Sequence, residues 1–100
     1  MTGSSFSRHI TISNRKGLHA RASAKLARLA ATLPTRVTLE LEGEIADARS
    51  IMDLLCLGAA LGKTVTVTAS GPDAFSALDQ VEMLINDGFG ELSEDETSCQ

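Results

Sequence analysis

The chain has no tryptophan and no tyrosine, and only three of its 100 residues are phenylalanine. Few aromatic side chains and an isoelectric point near 5.0 argue against nucleic acid as a partner, because single-stranded nucleic acid is usually held by stacking on aromatic rings. No apolar run approaches the about 20 residues that cross a bilayer. Residues 1–7 lack the charged and apolar segments of a secretory signal. We therefore expect a cytoplasmic protein that does not insert into membranes.

Cysteine is also scarce, with Cys56 and Cys99 far apart and no CxxC pair. Together with His9 and His19 they show none of the spacings of a zinc site, so we predict no metal. We expect no cofactor either. Cys56 lies in an apolar helical segment and is expected to be buried and reduced. Cys99 is expected to be a free thiol in a polar tail.

The two parts of the chain differ strongly in charge. Residues 1–36 hold seven basic residues and no acid, whereas residues 37–100 hold two bases against thirteen acids, a charge of −11. Five of the bases lie around one predicted turn and helix: Arg15, Lys16, Arg21, Lys25 and Arg28. They form either a solvated helix face or a basic collar that attracts an acidic partner and a phosphoryl group. A basic cluster that binds nucleic acid is a third interpretation.

Hydrophobic periodicity predicts seven elements in the order βαββαβα. The predicted strands are Phe6–Ile12, Arg36–Leu41, Glu44–Ala48 and Gly62–Ala69, and the predicted helices are Ala20–Ala31, Ser50–Leu57 and a last one that starts at Gly71-Pro72 and ends before Gly88. This order implies a two-layer α/β sandwich in a domain over residues 1–90, followed by an acidic, frayed tail over residues 91–100. The pattern does not fix the strand order.

Apolar positions within these elements predict the core. Inward-facing strand residues are Ile10, Ile12, Val37, Leu39, Leu41, Val65 and Val67. The first helix has an apolar stripe at Leu26, Leu29, Ala30 and Leu33, and the last helix has one at Phe75, Leu78, Val81 and Ile85. Proline is tolerated in a first helical turn, and Pro72 is assigned there.

The segment Lys16-Gly17-Leu18-His19-Ala20-Arg21-Ala22 places a histidine at the start of the first helix. The N–H groups at a helix N-terminus have no intrahelical partner and attract anions. A neutral imidazole keeps a nucleophilic lone pair near pH 7. From spacing alone His19 is either a histidine that accepts a phosphoryl group or a capping or surface residue.

Gly17-Leu18-His19-Ala20-Arg21 resembles the active-site signature of the HPr phosphocarrier family of the phosphoenolpyruvate-dependent phosphotransferase system. A second block, Ser50-Ile51-Met52-Asp53-Leu54-Leu55, is similar to the regulatory-serine helix of that family. The resemblance implies a four-stranded antiparallel sheet in the order 1-4-2-3, with three helices on one side.

The same resemblance implies the chemistry. Phosphorylated enzyme I would pass its group to His19, through the ring nitrogen nearer the backbone, and His19 would deliver it to a histidine of an enzyme IIA-type acceptor. Arg21 would pair with the phosphoryl oxygens, since its planar fork suits such anions. The protein would then be a stoichiometric transfer intermediate and not an independent catalyst. A carrier that must expose His19 to two successive partners is expected to be a monomer.

Ser50 is predicted to be the N-cap of the second helix, and the resemblance adds phosphorylation there by a dedicated kinase, with a matching phosphatase. The fold is expected to tolerate this phosphate, which would lie next to Arg49. The second helix is apolar nearly all round, more than one buried face requires. We therefore predict a docking surface at Met52 and Leu55, with Lys16 nearby, and we assign Ile51 and Leu54 to the core.

The chain departs from the family pattern at Ala22, where many members have proline, and at Asp53, where many have glycine or lysine. A negative charge at Asp53 would lie on the predicted docking helix and alter partner choice. The continuation over residues 22–25 resembles carriers of nitrogen-related or regulatory branches. Two alternatives stay open: a non-carrier regulatory protein-binding module of the same fold, and a small nucleic-acid- or ligand-binding module.

Overall fold

In a computed structural model of the protein, residues 5–90 are described. The elements are β1 (Ser5–Thr11), α1 (Ala20–Thr32), β2 (Arg36–Leu41), β3 (Glu44–Asp47), α2 (Ile51–Leu57), β4 (Thr64–Ser70), α3 (Ala74–Asn86) and a 3-10 turn (Gly88–Gly90). The seven predicted helices and strands are all present in the predicted order. The predicted tail over residues 91–100, which includes Cys99, lies outside the described residues.

The four strands form one antiparallel sheet in the order β1-β4-β2-β3, which confirms the arrangement that the family resemblance implied. β4 is therefore a central strand and pairs with both β1 and β2. The pairing continues one residue past β1, because the Ile12 amide donates to the Lys63 carbonyl at 2.9 Å and the Gly62 amide donates to the Ile12 carbonyl at 3.0 Å. The loop that leads to α1 thus starts from Ile12, a residue held by two backbone hydrogen bonds.

Alternation along the strands separates an apolar face of the sheet from a polar face. The buried strand side chains that share one face are Ile10, Val37, Leu39, Ala46, Val65, Val67 and Ala69. On the other face, hydroxyl pairs link the strands, for example Ser7 with Thr68 at 2.8 Å and Thr11 with Thr64 at 2.9 Å. One apolar and one polar face are what a sheet covered by helices on a single side requires.

The helices bury narrow stripes of small and aliphatic residues. Those of α1 are Ala22, Ser23, Leu26, Ala27 and Ala30, and those of α3 are Ala74, Ala77, Leu78, Val81 and Ile85. Alanine in these stripes lets a helix approach its neighbours closely, while each fully buried leucine or isoleucine contributes about 1.5–3 kcal/mol. The two helices and α2 contact one another or the sheet, which closes a single core.

The prediction that Phe75 belongs to the buried stripe of the last helix is wrong, because its side chain is 59% exposed. The helix begins at Ala74 with Asp73 as N-cap, so Pro72 lies before the helix and not in its first turn. The buried line runs through Ala74 and its i+3 and i+4 neighbours, which leaves the next residue outside. Phe75 instead packs on Phe6, with 4.8 Å between the ring centroids.

Arg8 joins this aromatic pair to α3. Its guanidinium donates to Asp79 and Glu82, each at 2.7 Å, and lies 5.5 Å from the centroid of the Phe75 ring. The hydrogen bonds that Arg8 donates to Asp79 and Glu82 raise the pKa of Arg8 above its usual value. The contacts join β1 to the outer surface of α3, away from the N-terminus of α1.

Two predictions for α2 are also wrong. Cys56 is exposed, not buried, and Ile51 is 42% exposed and outside the core. Leu54 is buried as predicted. A helix of seven residues makes two turns, so only one line of side chains can face α1 and β3, and Leu54 occupies it. Most of the apolar surface of α2 is therefore left in solvent.

Candidate functional site

A tight turn connects β1 to α1. The buried side chain of Asn14 donates from Nδ2 to the Gly17 carbonyl at 2.8 Å, and the Gly17 amide donates back to the Asn14 carbonyl at 3.2 Å. Asparagine commonly bonds to backbone groups nearby in sequence and so organises such turns. Sequence reasoning did not single out Asn14, although its spacing from Gly17 is a recognisable turn signal. The turn determines where the following residues lie.

Gly17 is the point at which this turn touches the segment after α2. Its φ is +62°, and a Cβ built on it would lie 2.3 Å from the Ala59 carbonyl oxygen and 2.8 Å from the Ala60 Cα. The next amide, that of Leu18, donates to the same Ala59 carbonyl at 2.9 Å. The Leu18 side chain is buried beneath the loop. Gly17 is therefore required both by backbone conformation and by the close approach of a second backbone.

His19 is the N-cap of α1. Its backbone is extended, at φ −79° and ψ −175°, and its carbonyl accepts the Ser23 amide at 2.8 Å, the first hydrogen bond of the helix. Its ring makes no capping hydrogen bond and is half-buried. The Ser23 hydroxyl donates to the Leu18 carbonyl at 3.1 Å and so fastens the start of the helix. The imidazole thus lies at a helix N-terminus without acting as its cap.

The charge around this N-terminus is positive. α1 has no acidic residue in its first turn, and Arg21 in that turn is exposed, as are Arg15 and Lys16 in the preceding loop. Positive side chains here add to the positive end of the helix dipole. The loop and the first turn of α1 therefore form a basic surface with the imidazole in it.

The other two bases, Lys25 and Arg28, lie further along α1 and have different contacts. Lys25 donates from Nζ to the Phe89 carbonyl at 2.7 Å and so holds the 3-10 turn against α1. Arg28 is nine residues beyond His19, about 13 Å along the helix axis, and lines a groove between α1 and α3. Of the five bases that the collar interpretation included, Arg15, Lys16 and Arg21 are thus the ones in the loop and first turn beside His19.

An exposed apolar surface lies on α2 and the loop after it. Its members, which we call the α2 patch, are Ile51, Met52, Leu55 and Leu61, with exposed fractions of 42%, 68%, 39% and 55%. The hydrogen bond between Leu18 and Ala59 links the end of α2 to the residue before His19. Met52 and Leu55 are therefore exposed on the element that supports the His19 loop. Sequence reasoning did not identify Leu61, because loop residues lack the periodicity that marks a face.

Ser50 is the N-cap of α2, as predicted, and its Oγ accepts the Asp53 amide at 3.1 Å. The Asp53 carboxylate, at the third position of the helix, accepts the Asp47 amide through Oδ2 at 3.2 Å. Within the described part of the chain, no three His, Cys, Asp or Glu side chains are grouped so that they could hold a metal ion. Nor does any helix among residues 5–90 combine the length and the apolar character needed to span a membrane.

Comparison with protein families gives a match over nearly all of the described residues. The model of the PTS HPr component phosphorylation site matches residues 6–87. The phosphocarrier protein HPr of Cupriavidus necator is 46% identical over 84 residues, which are 84% of this chain and 94% of the relative. The phosphocarrier protein NPr of Shewanella violacea is 42% identical over 86 residues, 86% of this chain and 94% of the relative.

Comparison with solved structures gives the same result. HPr-C-His of Thermoanaerobacter tengcongensis superposes with a TM-score of 0.82 at 32% identity, over 86% of this chain and 97% of the other. Crh, the catabolite repression protein of Bacillus subtilis, has a TM-score of 0.67 at 32% identity, over 74% of this chain and 85% of its own, in a structure described as a dimer with a swapping domain.

Proposed function

The chain belongs to the HPr phosphocarrier family of the phosphotransferase system, and from this premise we propose that His19 carries the phosphoryl group. One observation supports this assignment above all: His19 is the N-cap residue of α1, yet its ring does not cap the helix. The first-turn N–H groups have no partner within the helix and favour an anion, and the first turn contains no carboxylate to oppose one. A phosphoryl group on the ring would lie in this field.

The proposed reaction exchanges one phosphorus–nitrogen bond for another. The lone pair of the His19 ring nitrogen nearer the backbone attacks the phosphorus of a phosphohistidine on enzyme I. The bond from that phosphorus to the donor nitrogen breaks, and its electron pair returns to the donor imidazole. The second transfer repeats these steps, with a histidine of an enzyme IIA-type protein as acceptor. Positioning and neutralisation of charge do most of the work in such transfers.

The first test is to incubate the protein with enzyme I, magnesium and phosphoenolpyruvate and to measure its intact mass. We expect the mass increase of one phosphoryl group, lost again in mild acid, as a phosphorus–nitrogen bond requires. An acid-stable label, or none with an enzyme I that phosphorylates another carrier, would contradict the proposal. The second outcome would favour the alternative of a regulatory module that does not carry phosphate.

Arg21 is proposed to stabilise the phosphoryl oxygens. It is exposed two residues after His19, in the first turn of the same helix. A charge-assisted hydrogen bond is worth about 1.5–3 kcal/mol, so we expect Arg21→Ala to slow phosphoryl transfer from enzyme I about 10- to 100-fold. Rapid-quench kinetics would measure the rate. Arg36→Ala removes an equal charge at the start of β2 and is the control. A similar loss of rate in that variant would show that Arg21 acts only through the net charge of the protein and not through a specific contact.

The α2 patch and Lys16 are proposed to dock the partner proteins. Transient interfaces of this kind are small, with an apolar centre and a polar rim. Enzyme I and the acceptor must both approach His19, and both would cover the patch in turn. We propose that the carrier unit spans residues 1–90 and works as a monomer in the cytoplasm, since one exposed ring must serve two successive partners.

Met52→Asp tests the docking surface. We expect this change to slow transfer from enzyme I about 10-fold at subsaturating carrier, because a few central contacts, each contributing more than about 1 kcal/mol, dominate the binding energy of an interface. The thermal midpoint is expected to stay within about 2 °C, since Met52 is 68% exposed. Met83→Asp is the matched control, because Met83 is 71% exposed but lies on α3. Loss of thermal stability in Met52→Asp, or equal slowing in both variants, would contradict the docking role.

Ser50 is proposed as a second phosphorylation site with a regulatory role, used by a dedicated serine kinase and reversed by a phosphatase. It begins the helix that carries the patch, and it is half-buried. A phosphate there would add roughly −1.5 to −2 charges next to the surface that binds the partners. The effect of this charge depends on what surrounds the hydroxyl.

A further inference from the structure

We propose that Asp53 determines what phosphorylation of Ser50 does in this chain: the modified serine can no longer cap α2, and the first turn of the helix loosens. This inference rests on the regulatory role proposed above for Ser50. It concerns the acidic residue that departs from the family pattern, and it makes the modification a conformational switch in the α2 patch.

The cap of α2 is built from two hydrogen bonds. Ser50 accepts the Asp53 amide on Oγ at 3.1 Å, and its carbonyl accepts the Leu54 amide at 3.1 Å. A serine cap of this kind stabilises a helix by about 0.5–2 kcal/mol. Because α2 has only seven residues, a single cap is a large part of what holds its first turn. The hydroxyl that a kinase would modify therefore already accepts the hydrogen bond that caps α2.

Two carboxylates lie beside this cap, and each accepts a hydrogen bond from a backbone amide. The Asp53 carboxylate accepts the Asp47 amide through Oδ2 at 3.2 Å. The Asp47 carboxylate accepts the Arg49 amide through Oδ1 at 2.9 Å, while the Asp47 carbonyl accepts the Ser50 amide at 2.9 Å. In the common capping box, the third residue reaches back to the amide of the cap itself. Here it reaches three residues further back, which closes a ring of backbone and side-chain bonds around Ser50.

The nearest base in sequence is engaged elsewhere. The Arg49 guanidinium donates to two carbonyls at the C-terminal end of α1, that of Ala30 at 3.4 Å and that of Leu33 at 3.0 Å. Cations at a helix C-terminus satisfy carbonyls that have no intrahelical partner. We expected a phosphate on Ser50 to lie beside Arg49, but in the structure the charged end of that side chain stabilises α1. Neutralising the phosphate would require giving up these contacts.

Phosphorylation of Ser50 would thus add negative charge close to the negative charge of the Asp53 carboxylate. The serine oxygen attacks the γ-phosphorus of a nucleoside triphosphate, the bond from that phosphorus to the β–γ bridging oxygen breaks, the diphosphate leaves, and the hydroxyl proton passes to a base on the kinase. The product adds roughly −1.5 to −2 charges beside the Asp53 carboxylate. A phosphate at a helix N-terminus usually stabilises it, but like charge in the same turn reverses the sign.

The consequence falls on the α2 patch. Ile51 and Met52 are in the first turn of α2, and Leu54 is the buried residue that holds the helix to the core. Loosening the first turn displaces the two exposed side chains while Leu54 keeps the second turn in place. Modification would therefore remove part of the docking surface as well as adding charge to it.

The test compares four full-length proteins, with serine or genetically encoded phosphoserine at position 50, each with Asp53 or with Asp53→Asn. With Asp53 present, we expect phosphoserine to lower the thermal midpoint by about 4–8 °C and to accelerate amide exchange at residues 51–54. With Asp53→Asn, which keeps the size and the amide of the residue, we expect no fall or a small rise. The comparison isolates the coupling between the two positions.

Any other pattern overturns the inference. Equal falls in both backgrounds would mean that phosphate breaks the cap without help from Asp53. No fall with Asp53 present would mean that the helix dipole or a reoriented Arg49 neutralises the phosphate. Uptake of a phosphoryl group from enzyme I by the unmodified proteins is measured separately, so a failure of the carrier function is distinguishable from a failure of this inference.

Discussion

We expect the His19→Ala protein to take up no phosphoryl group from enzyme I and phosphoenolpyruvate, while the protein with His19 takes up one. The loss should be complete because the variant lacks the only nucleophile that we propose at the N-terminus of α1. The fold should survive, since the His19 ring makes no capping hydrogen bond and is only half-buried. We expect the free energy of unfolding to change by less than about 1 kcal/mol, as is usual for a substitution outside the core.

The chain offers a matched control in its only other histidine. His9 lies on the polar face of the sheet, where its Nδ1 pairs with the Thr66 hydroxyl at 3.1 Å. His9→Ala should therefore be labelled to the same extent as the unsubstituted protein. Intact mass before and after acid treatment, with a thermal melt of each protein, gives all the readings that are needed. Acid-labile label on His19→Ala would move the site to another residue.

Gly17→Ala is expected to cost about 2–4 kcal/mol of unfolding free energy and to slow phosphoryl uptake as well. The new Cβ would meet backbone on the opposite segment, 2.3 Å from the Ala59 oxygen, and backbone cannot rotate away as a flexible side chain can. The positive φ of +62° adds strain of its own. Relief requires moving the His19 loop away from the end of α2, which disturbs the site and the Leu18–Ala59 hydrogen bond together.

Gly43→Ala separates these two causes. Gly43 has a φ of +87° in the turn between β2 and β3, and a Cβ there meets nothing within 4 Å. Urea unfolding of both variants should show a loss of about 1–2 kcal/mol for Gly43→Ala and a larger one for Gly17→Ala. Equal losses would show that backbone strain alone accounts for the effect and that the contact with Ala59 relaxes freely. Only Gly17→Ala should also slow uptake from enzyme I.

The secondary structure was the most predictable feature, because it depends on spacing along the chain. The alternation over Arg36–Leu41 predicts β2 with its observed bounds. The serine at position 50 predicts the start of α2, since its hydroxyl can accept an amide of the first turn. Both signals are local, and neither requires knowledge of what the segment packs against.

The errors fall where burial depends on a neighbour. Phe75 and Ile51 are apolar and helical, but Ile51 is on an uncovered side of its helix, and Phe75 is covered only in part, by Phe6 and Arg8 of β1. Cys56 is exposed for the same reason. A sequence shows that a residue could be buried, whereas the number of faces actually covered depends on helix length and on the position of the sheet.

The sequence by itself determined the order of the elements, the histidine at a helix start, the serine cap and the separation of basic and acidic halves. Only the tertiary structure decided that Gly17 touches Ala59, that Lys25 and Arg49 are engaged in backbone contacts, and that the segment after α2 is hydrogen-bonded to the His19 loop. The reason is physical: propensities and caps act over a few residues, whereas these contacts join segments more than ten residues apart, brought together by a sheet in which β4 lies between β1 and β2.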